Sequence, residues 1–150
     1  MLRNEPGKFV CRTHAAICHV DQSAYRLGQT TDCPVCAQPT CKSHLRTCGW
    51  CGRMVCVTDL NAAHSRCVTC AQLRDIAEPP DSLITAVASA LGDRATPKRW
   101  RAARDATHTV VELDLGWTRR AVFAIRHGEN VASFGQTHSA IGTKKITGLG

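Results

Sequence analysis

The chain has 150 residues, of which 43% are hydrophobic and only 5% aromatic, and it carries a formal net charge of +7. This length suits one ordinary domain or two small ones. No apolar run is long enough to span a bilayer, so the sequence predicts no membrane segment. The polar start from Met1 to Lys8 does not resemble a secretory signal peptide.

Most of the large aromatic residues lie late in the chain, with Trp100, Trp117, Phe123 and Phe134 all beyond residue 90. The N-terminal half therefore has few large apolar side chains, and we expect bound metal to supply the stability that packing does not. The ten cysteines occur with histidines and aspartates at matching spacings, which a disulfide scaffold would not need. We therefore expect an intracellular, cytoplasmic protein whose thiols stay reduced.

Pairs of metal-ligand residues, each with two residues between its members, dominate the first half of the chain. They are Cys11/His14, Cys18/Asp21, Cys33/Cys36, Cys41/His44, Cys48/Cys51, Cys56/Asp59 and Cys67/Cys70. One such pair can fold over a metal ion, and two pairs complete a tetrahedral zinc site. The interval from Cys33 to Cys48 equals the interval from Cys41 to Cys56, and we call it the repeat offset. It indicates an internal repeat whose unit is a zinc knuckle.

Three combinations of these pairs leave the fewest ligands without a partner. They are Cys48, Cys51, Cys67 and Cys70; Cys11, His14, Cys33 and Cys36; and Cys18, Asp21, Cys41 and His44. The spacing of the four-cysteine set is a strong zinc signature. The other two sets interleave along the chain, so neither of those sites could form alone. Asp21 is the weakest of these ligands, and His19 or water could take its place.

A second pairing is also open. In it Cys33 and Cys36 join Cys48 and Cys51, Cys41 and His44 join Cys56 and Asp59, and Cys67 and Cys70 have no partner pair. The first scheme instead leaves Cys56, Asp59 and His64, which either form an incomplete extra site or include a buried thiol at Cys56. The expected content is about three zinc ions, or four if the extra site binds one.

The interleaved arrangement resembles the cross-brace zinc modules of the B-box and RING types, and a helix at the last cysteine pair would resemble a treble-clef finger. The resemblance rests on Cys11, His14, Cys18, Asp21, Cys33, Cys36, Cys41 and His44. It implies a docking module for protein partners. The ligand chemistry also favours a structural role, because closed sulfur-rich sites make poor Lewis acids.

Beyond Cys70 the pattern changes from knuckles to helix and then to strand. A second helix is predicted over Leu83 to Leu91, with Asp81 or Ser82 as its cap. The boundaries that we expect are a multi-zinc domain at 1–77, a linker with this helix at 78–99, an antiparallel β domain at 100–141 and a flexible basic tail at 142–150. The predicted fold class is therefore a small zinc-stabilised α+β protein, with tandem interleaved zinc knuckles followed by a helix and a β-meander.

Basic residues surround the two late tryptophans, and they form the candidate nucleic-acid-binding set. The set comprises Lys98, Arg99, Trp100, Arg101, Arg104, Arg119 and Arg120. Arginine beside an exposed ring can hold single-stranded nucleic acid, with phosphates on the cations and a base on the ring. We expect Trp117 to pack within the sheet, whereas Trp100 could be packed or exposed.

Two functional hypotheses follow from these patterns. The first is a non-enzymatic zinc module that binds DNA or RNA through its basic C-terminal half. The second is a protein–protein adaptor of a larger complex, which docks through the zinc-finger array.

A third hypothesis, a metal-dependent nuclease, rests on two carboxylates of one predicted strand. Glu112 and Asp114 share a strand face, and His108 and His127 could lie near them. The same alternation fits the solvent face of an antiparallel sheet, which is the interpretation that we favour. Because the chain has no Walker loop, dinucleotide fingerprint or nucleophile elbow, we expect no catalytic residues and no small-molecule substrate.

Overall fold

The computed structural model describes residues 2–5, 8–10, 15–61, 66–91 and 97–146, without the side chains of 2–5, 8–10 and 27. Three predicted ligands, Cys11, His14 and His64, lie outside the described residues, as do residues 147–150. Within the part that is described, no helix combines the length and the apolar character that crossing a membrane requires.

The described residues before position 61 form small two-stranded antiparallel hairpins. Their strands are β1 (Leu2–Glu5) with β2 (Lys8–Val10), β3 (Ala15–Ile17) with β4 (Ala24–Arg26), β5 (Thr30–Asp32) with β6 (Pro39–Cys41), and β7 (Leu45–Thr47) with β8 (Met54–Cys56). Single 3₁₀ turns follow β4, β6 and β8 at Leu27–Gln29, Lys42–His44 and Val57–Asp59. We call residues 15–61 and 66–71 the hairpin array. Isolated hairpins of this size are at best marginally stable in water, so other interactions must hold the array together.

The array has a structural repeat whose period is the repeat offset of the sequence. Each hairpin reverses at a residue with positive φ, namely Gln22 at 60°, Ala37 at 59° and Gly52 at 80°. In each case the amide of this residue donates to the carbonyl of the first cysteine of the preceding ligand pair, at 2.7 to 3.0 Å. The three turns are therefore equivalent, although only one of them has the glycine that this conformation favours.

The described residues from 66 to 146 form two helices and one six-stranded antiparallel sheet. In chain order they are α1 (Val68–Ala71), β9 (Arg74–Asp75), α2 (Asp81–Leu91), β10 (Arg99–Arg104), β11 (His108–Gly116), β12 (Arg119–Arg126), β13 (Ala132–Ser139) and β14 (Gly142–Lys145). The strand order β14-β13-β12-β11-β10-β9 is a meander, as predicted. It is wider than expected, because residues 74–75 supply β9, the basic cluster supplies β10 and the start of the predicted flexible tail supplies β14.

Helix α2 covers one face of the sheet. Leu83, Val87 and Leu91 are buried on the helix and pack in one core with Val111 and Phe123 of the central strands. These residues share a face because alternate residues of a strand point to opposite sides. The predicted contact between the helix and the meander is thus present.

The hairpin array covers part of the other face. Val55 and Leu60 of the array pack in a second core with Val110 and Val122 of the sheet, together with buried cysteines. Beyond this contact the same face carries a polar row, with one residue from each of five neighbouring strands and each residue paired with the next. The row comprises Arg99, Asp114, Arg120, His138 and Thr143. The sheet is therefore packed on one face and only partly covered on the other.

The repeat gives a matched pair of substitutions at equivalent turns. A Cβ at Gly52 would lie 2.6 Å from Nε2 of Gln136, and φ at this position is +80°. We expect Gly52→Ala to lower the free energy of unfolding by about 1–2 kcal/mol. The control is Ala37→Gly, which relaxes a positive φ and should leave stability unchanged or slightly raised. Urea unfolding at a fixed zinc concentration measures both, and equal losses would contradict the equivalence of the turns.

Candidate metal centres and an arginine cleft

Among the described residues, three groups of four side chains have donor atoms that all lie within 4.8 Å of one another, so each group could hold a metal ion. Site 1 comprises Cys18, Asp21, Cys41 and His44; site 2 comprises Cys33, Cys36, Cys56 and Asp59; site 3 comprises Cys48, Cys51, Cys67 and Cys70. In chain order the ligand pairs belong to sites 1, 2, 1, 3, 2 and 3. Each site thus interleaves with the next, and the number of sites agrees with the expected content of about three metal ions.

Site 3 is the four-cysteine set that the sequence spacing predicts, and all four thiols are buried. Its sulfur–sulfur distances are 3.8 Å from Cys48 to Cys70 and 4.0 Å from Cys51 to Cys67. A tetrahedral zinc ion with bonds of about 2.3 Å would separate its sulfur ligands by about 3.8 Å, so the geometry fits such an ion. Hydrogen bonds from Cys51, Cys67 and Cys70 lower the pKa of Cys48, whereas the hydrogen bonds with Cys48 raise the pKa of Cys51 and Cys70, so Cys48 ionises more readily than these two thiols.

Site 1 joins the four residues that the sequence analysis grouped. Nδ1 of His44 lies 3.0 Å from Sγ of Cys41, 3.9 Å from Sγ of Cys18 and 3.5 Å from a carboxylate oxygen of Asp21. The side chains of Asp21 and His44 are 28% and 31% exposed, so solvent reaches this site.

Hydrogen bonds orient the carboxylate of site 1. The amide of Ser23 and the hydroxyl of Tyr25 donate to Asp21, at 2.9 and 2.8 Å. Although burial alone would raise the pKa of Asp21, these hydrogen bonds lower it below its usual value. The carboxylate is therefore charged at neutral pH and is held in the position of a metal ligand.

Site 2 differs from both pairings that the sequence left open. Cys33 and Cys36 lie beside Cys56 and Asp59, not beside Cys48 and Cys51, and the predicted partners of this pair fall outside the described residues. Sγ of Cys36 lies 3.9 Å from Sγ of Cys56, and a carboxylate oxygen of Asp59 lies 3.2 Å from Sγ of Cys33. Cys56 and Asp59, two of the three residues left over in the preferred scheme, thus complete a site, and the third, His64, lies outside the described residues.

The repeat explains this correction. Site 2 is site 1 moved forward by one repeat offset, so that the spacing between the two ligand pairs is the same in each. The three sites also share one hydrogen bond, from the amide of the third ligand to the sulfur of the first. Its donors and acceptors are Cys41 to Cys18 at 3.2 Å, Cys56 to Cys33 at 3.4 Å and Cys67 to Cys48 at 3.2 Å. Applying the repeat offset to whole sites, rather than to single pairs, would have predicted site 2.

The backbone that carries the second ligand pair of site 1 also occurs one repeat earlier in the chain, where it has no ligand residues. Arg26 and Gln29 occupy the positions that Cys41 and His44 take one repeat later. The amide of Arg26 donates to Oε1 of Gln29 at 3.1 Å across the 3₁₀ turn. The side-chain amide of Gln29 therefore stabilises this turn, at the position where the later repeats have metal-ligand residues.

Site 3 is joined to the sheet by a buried arginine that sequence analysis did not identify. Arg53 is fully buried, and its Nε donates to Sγ of Cys51 at 3.3 Å. Nη1 of the same guanidinium lies 2.8 Å from a carboxylate oxygen of Asp105, which precedes β11. Asp105 in turn accepts hydrogen bonds from the hydroxyl of Thr69 and the amide of His108. The arginine thus balances the charge of thiolates on one side and of a carboxylate on the other.

Trp50, inside the first pair of site 3, is a second link to the sheet. Its ring stacks on His138 with centroids 4.0 Å apart, and its Nε1 donates to Glu112 at 2.7 Å. Nε2 of His138 lies 2.8 Å from the carbonyl oxygen of Trp50, and the guanidinium of Arg66 lies 3.9 Å from the ring centroid. The signal in the sequence is a large aromatic residue between the two cysteines of a predicted ligand pair.

These residues border a polar cavity of about 220 Å³ between site 3 and the polar row of the sheet. We call it the arginine cleft; it is lined by Trp50, Arg66, Arg99, Arg101, Glu112, Asp114 and Arg120. Four guanidinium groups face two carboxylates, which leaves a positive excess. Arg101 pairs with Glu112 at 3.1 Å and Arg120 with Asp114 at 2.7 Å, while Arg99 makes two bonds to Asp75 outside the cleft.

The structure divides the predicted nucleic-acid-binding set. Arg99, Arg101 and Arg120 line the arginine cleft, whereas Trp100 and Arg104 alternate to the face that α2 covers. Trp100 packs partly against the helix core. The remaining members, Lys98 and Arg119, flank the turn between β11 and β12. The cluster looks continuous in the sequence, but adjacent residues of a strand point to opposite faces of the sheet, so its members are divided between the two faces.

The expectation for Trp117 is wrong, because its side chain is 93% exposed. Trp117 and Thr118 form the two-residue turn between β11 and β12, with φ of 51° and 60°. Asparagine and glycine are the residues that suit such a turn, and a bulky residue with positive φ is strained by roughly 1–3 kcal/mol. Ile141, in the neighbouring turn between β13 and β14, is also 95% exposed.

The carboxylates of the nuclease hypothesis have other partners. Glu112 is buried and bonded to Trp50 and Arg101, and Asp114 pairs with Arg120. No group of metal-ligand side chains in the described ranges includes either of them, or His108. Burial, and then the charge of Arg53, lowers the pKa of His108 to about 4, so this imidazole is neutral at neutral pH.

Comparisons of the chain with protein-family models, with curated proteins and with solved structures find no match. The B-box and RING resemblance is therefore limited to the presence of three interleaved Cys/His/Asp clusters that could bind metal.

The donor sets predict an order of metal loss. Site 3 is buried and has four thiols, whereas site 1 is partly exposed and includes a carboxylate and an imidazole. We expect about three zinc ions per chain, with the ion of site 1 released first to a chelator. Asp21→Ala should speed this first release, and the control Asp32→Ala, an exposed acid outside the sites, should not. Native mass spectrometry and a colorimetric release assay measure both; loss of all ions in one step would contradict the order.

The buried arginine gives a second prediction. Arg53→Met removes the charge that faces both Asp105 and the thiolates, and it should lower the free energy of unfolding by about 3–5 kcal/mol. The double variant with Asp105→Asn should recover part of this loss, because no unpaired carboxylate then remains buried. Chemical denaturation of the two zinc-loaded variants tests the link, which is wrong if the double variant is the less stable of the two.

Proposed function

We propose that the chain is a non-enzymatic zinc module that binds nucleic acid through the arginine cleft. The single observation that supports this function best is the convergence of four arginines and a tryptophan on one cavity. The three metal sites would build the scaffold that positions them.

The choice of zinc follows from the donors. Thiolates with imidazole or carboxylate, whose donor atoms all lie within 4.8 Å of one another, are a set that suits zinc in a reducing compartment. Four protein donors at each site leave no position for a water ligand, which is the mark of a structural rather than a catalytic ion. The ions would therefore supply folding energy and no chemistry.

The arginine cleft suits phosphate groups. A guanidinium has five N–H donors and binds phosphate with two parallel hydrogen bonds. Arg101 directs two of its nitrogens to Glu112 and to the carbonyl of Leu73, and Arg120 directs one to Asp114. The carboxylates thus orient the guanidiniums while leaving further N–H groups for a ligand.

The rigidity of the cleft also supports this function. Arg99, Arg101 and Arg120 stand on paired strands, and Trp50 is fixed by His138 and Glu112. A cation held in place before binding loses less conformational entropy when phosphate arrives. Arginines on a loose tail would lack this advantage.

A binding titration with a charge-matched control tests the proposal. The probes are labelled single- and double-stranded DNA and RNA, titrated with zinc-loaded protein at low and near-physiological salt. We expect Arg99→Gln with Arg120→Gln to weaken binding at least tenfold and to reduce the salt slope by about one to two. The control, Arg104→Gln with Arg126→Gln, removes the same charge from two residues that line a separate cavity beside α2 and not the arginine cleft, and it should have a much smaller effect.

Two outcomes would contradict this function. Equal losses in the two double variants would mean that binding reflects net charge and not the cleft. Absence of saturable binding to all four nucleic acids at low salt would remove the function altogether.

The adaptor function remains the second candidate, because the hairpin array exposes apolar side chains. Ile17 is 39% exposed and Met54 is 47% exposed. A protein partner that survives nuclease treatment and is lost in Ile17→Thr with Met54→Gln, but kept in Arg99→Gln with Arg120→Gln, would favour this candidate.

A further inference from the structure

We propose that Trp117 is a stacking platform for an unpaired base, so that the nucleic acid bound by this protein is single-stranded where it passes the turn between β11 and β12. The inference rests on the proposed function and names the form of nucleic acid that the site takes. Three features support it: the conformation of this turn, the cavity beside the turn, which we call the hollow, and the connection between the hollow and the arginine cleft.

Neither packing nor backbone geometry explains a tryptophan in this turn. Its ring is 93% exposed, so it adds almost nothing to the core. Its φ of 51°, followed by 60° at Thr118, is a conformation that asparagine and glycine adopt more readily. A residue that stability does not select, held in a strained conformation on the surface, points to a role in binding.

The hollow beside the ring has the chemistry of a nucleotide site. It has a volume of about 470 Å³ and lies between the turn of Trp117 and the turn of Ile141. Its lining includes Arg119, Lys144 and the hydroxyl groups of threonine and serine residues, and none of its lining residues is acidic. Within the described ranges Arg119 and Lys144 form no ion pair. A flat apolar ring beside free cations complements a base and its phosphate.

The hollow and the arginine cleft are connected through His138. This residue lines the hollow, and its ring stacks on Trp50, which lines the cleft. Arg120 of the cleft is paired with His138 on the next strand, and Arg119 precedes it at the turn. One polynucleotide strand could therefore place phosphates in the cleft and a base on Trp117.

Stacking on an isolated ring discriminates between single and double strands. Each base of a duplex is already stacked on its neighbours, so its face is open only at an end or a break. An unpaired base offers its face freely, and stacking of this kind tolerates any base sequence. We therefore expect a preference for single strands with little dependence on sequence.

The experiment distinguishes loss of the tryptophan ring from a change in the stability of the fold. Trp117→Asn removes the ring and supplies a residue suited to positive φ, whereas Trp117→Phe keeps an aromatic face. The probes are a labelled oligothymidylate of roughly 16 nucleotides and a duplex of the same length. We expect Trp117→Asn to lose roughly tenfold in affinity for the single strand, to keep its affinity for the duplex, and to melt at the same or a higher temperature. Trp117→Phe should stay within about threefold of the wild type. The control Ile84→Gln removes another exposed apolar side chain, on α2, and should change neither affinity.

The outcomes distinguish this inference from the proposed function. Binding of both probes that is lost in Arg99→Gln with Arg120→Gln, but unchanged in Trp117→Asn, would overturn the stacking role and leave the cleft. No binding of either probe would overturn both. Self-association that disappears in Trp117→Asn, with unchanged affinity for nucleic acid, would assign the turn between β11 and β12 to a protein interface and overturn the stacking role.

Discussion

The interleaving of ligand pairs is the constraint on which the rest of the structure depends. The β5–β6 and β7–β8 hairpins each supply ligands to two sites, and every site takes its second ligand pair from a later element than its first, so no site is complete until the following element is in place. Strands of three residues have too little surface to stabilise themselves, and metal binding would be coupled to folding. The array should therefore form cooperatively, from shared ions rather than from a continuous core.

Site 3 connects the hairpin array to the sheet. Arg53 and Trp50, both within or next to its first ligand pair, contact Asp105, Glu112 and His138 of the C-terminal part. The same contacts fix one wall of the arginine cleft, while the strands β10, β11 and β12 fix the other. A metal ion bound at site 3 would thus help to set the shape of the cleft, although none of its four ligands lines that cavity.

Sequence reasoning identified the ligand types, the repeat and the strand alternation, because each of these depends on local spacing. It could not choose the partner of Cys33 and Cys36, since every pairing of such pairs satisfies tetrahedral chemistry. The register of the repeat decides that question, through turns and hydrogen bonds that recur once in every repeat. The prediction for Trp117 is wrong, and the sequence leaves Trp100 open, for a similar reason: alternation places residue 100 toward the helix, but nothing local shows that residue 117 falls in a turn with positive φ.

The unusual features of the C-terminal part lie at one end of the sheet. The central strands are buried on both faces, and their sequences follow the rules of packing. At the end near residue 117, by contrast, guanidiniums gather on one face and a strained, exposed tryptophan occupies the turn. Stability alone would favour other residues at these positions, because like charges repel and apolar exposure is unfavourable. Folding does not explain that combination, on a scaffold otherwise consistent with its own packing, and it is what the proposed binding function would require.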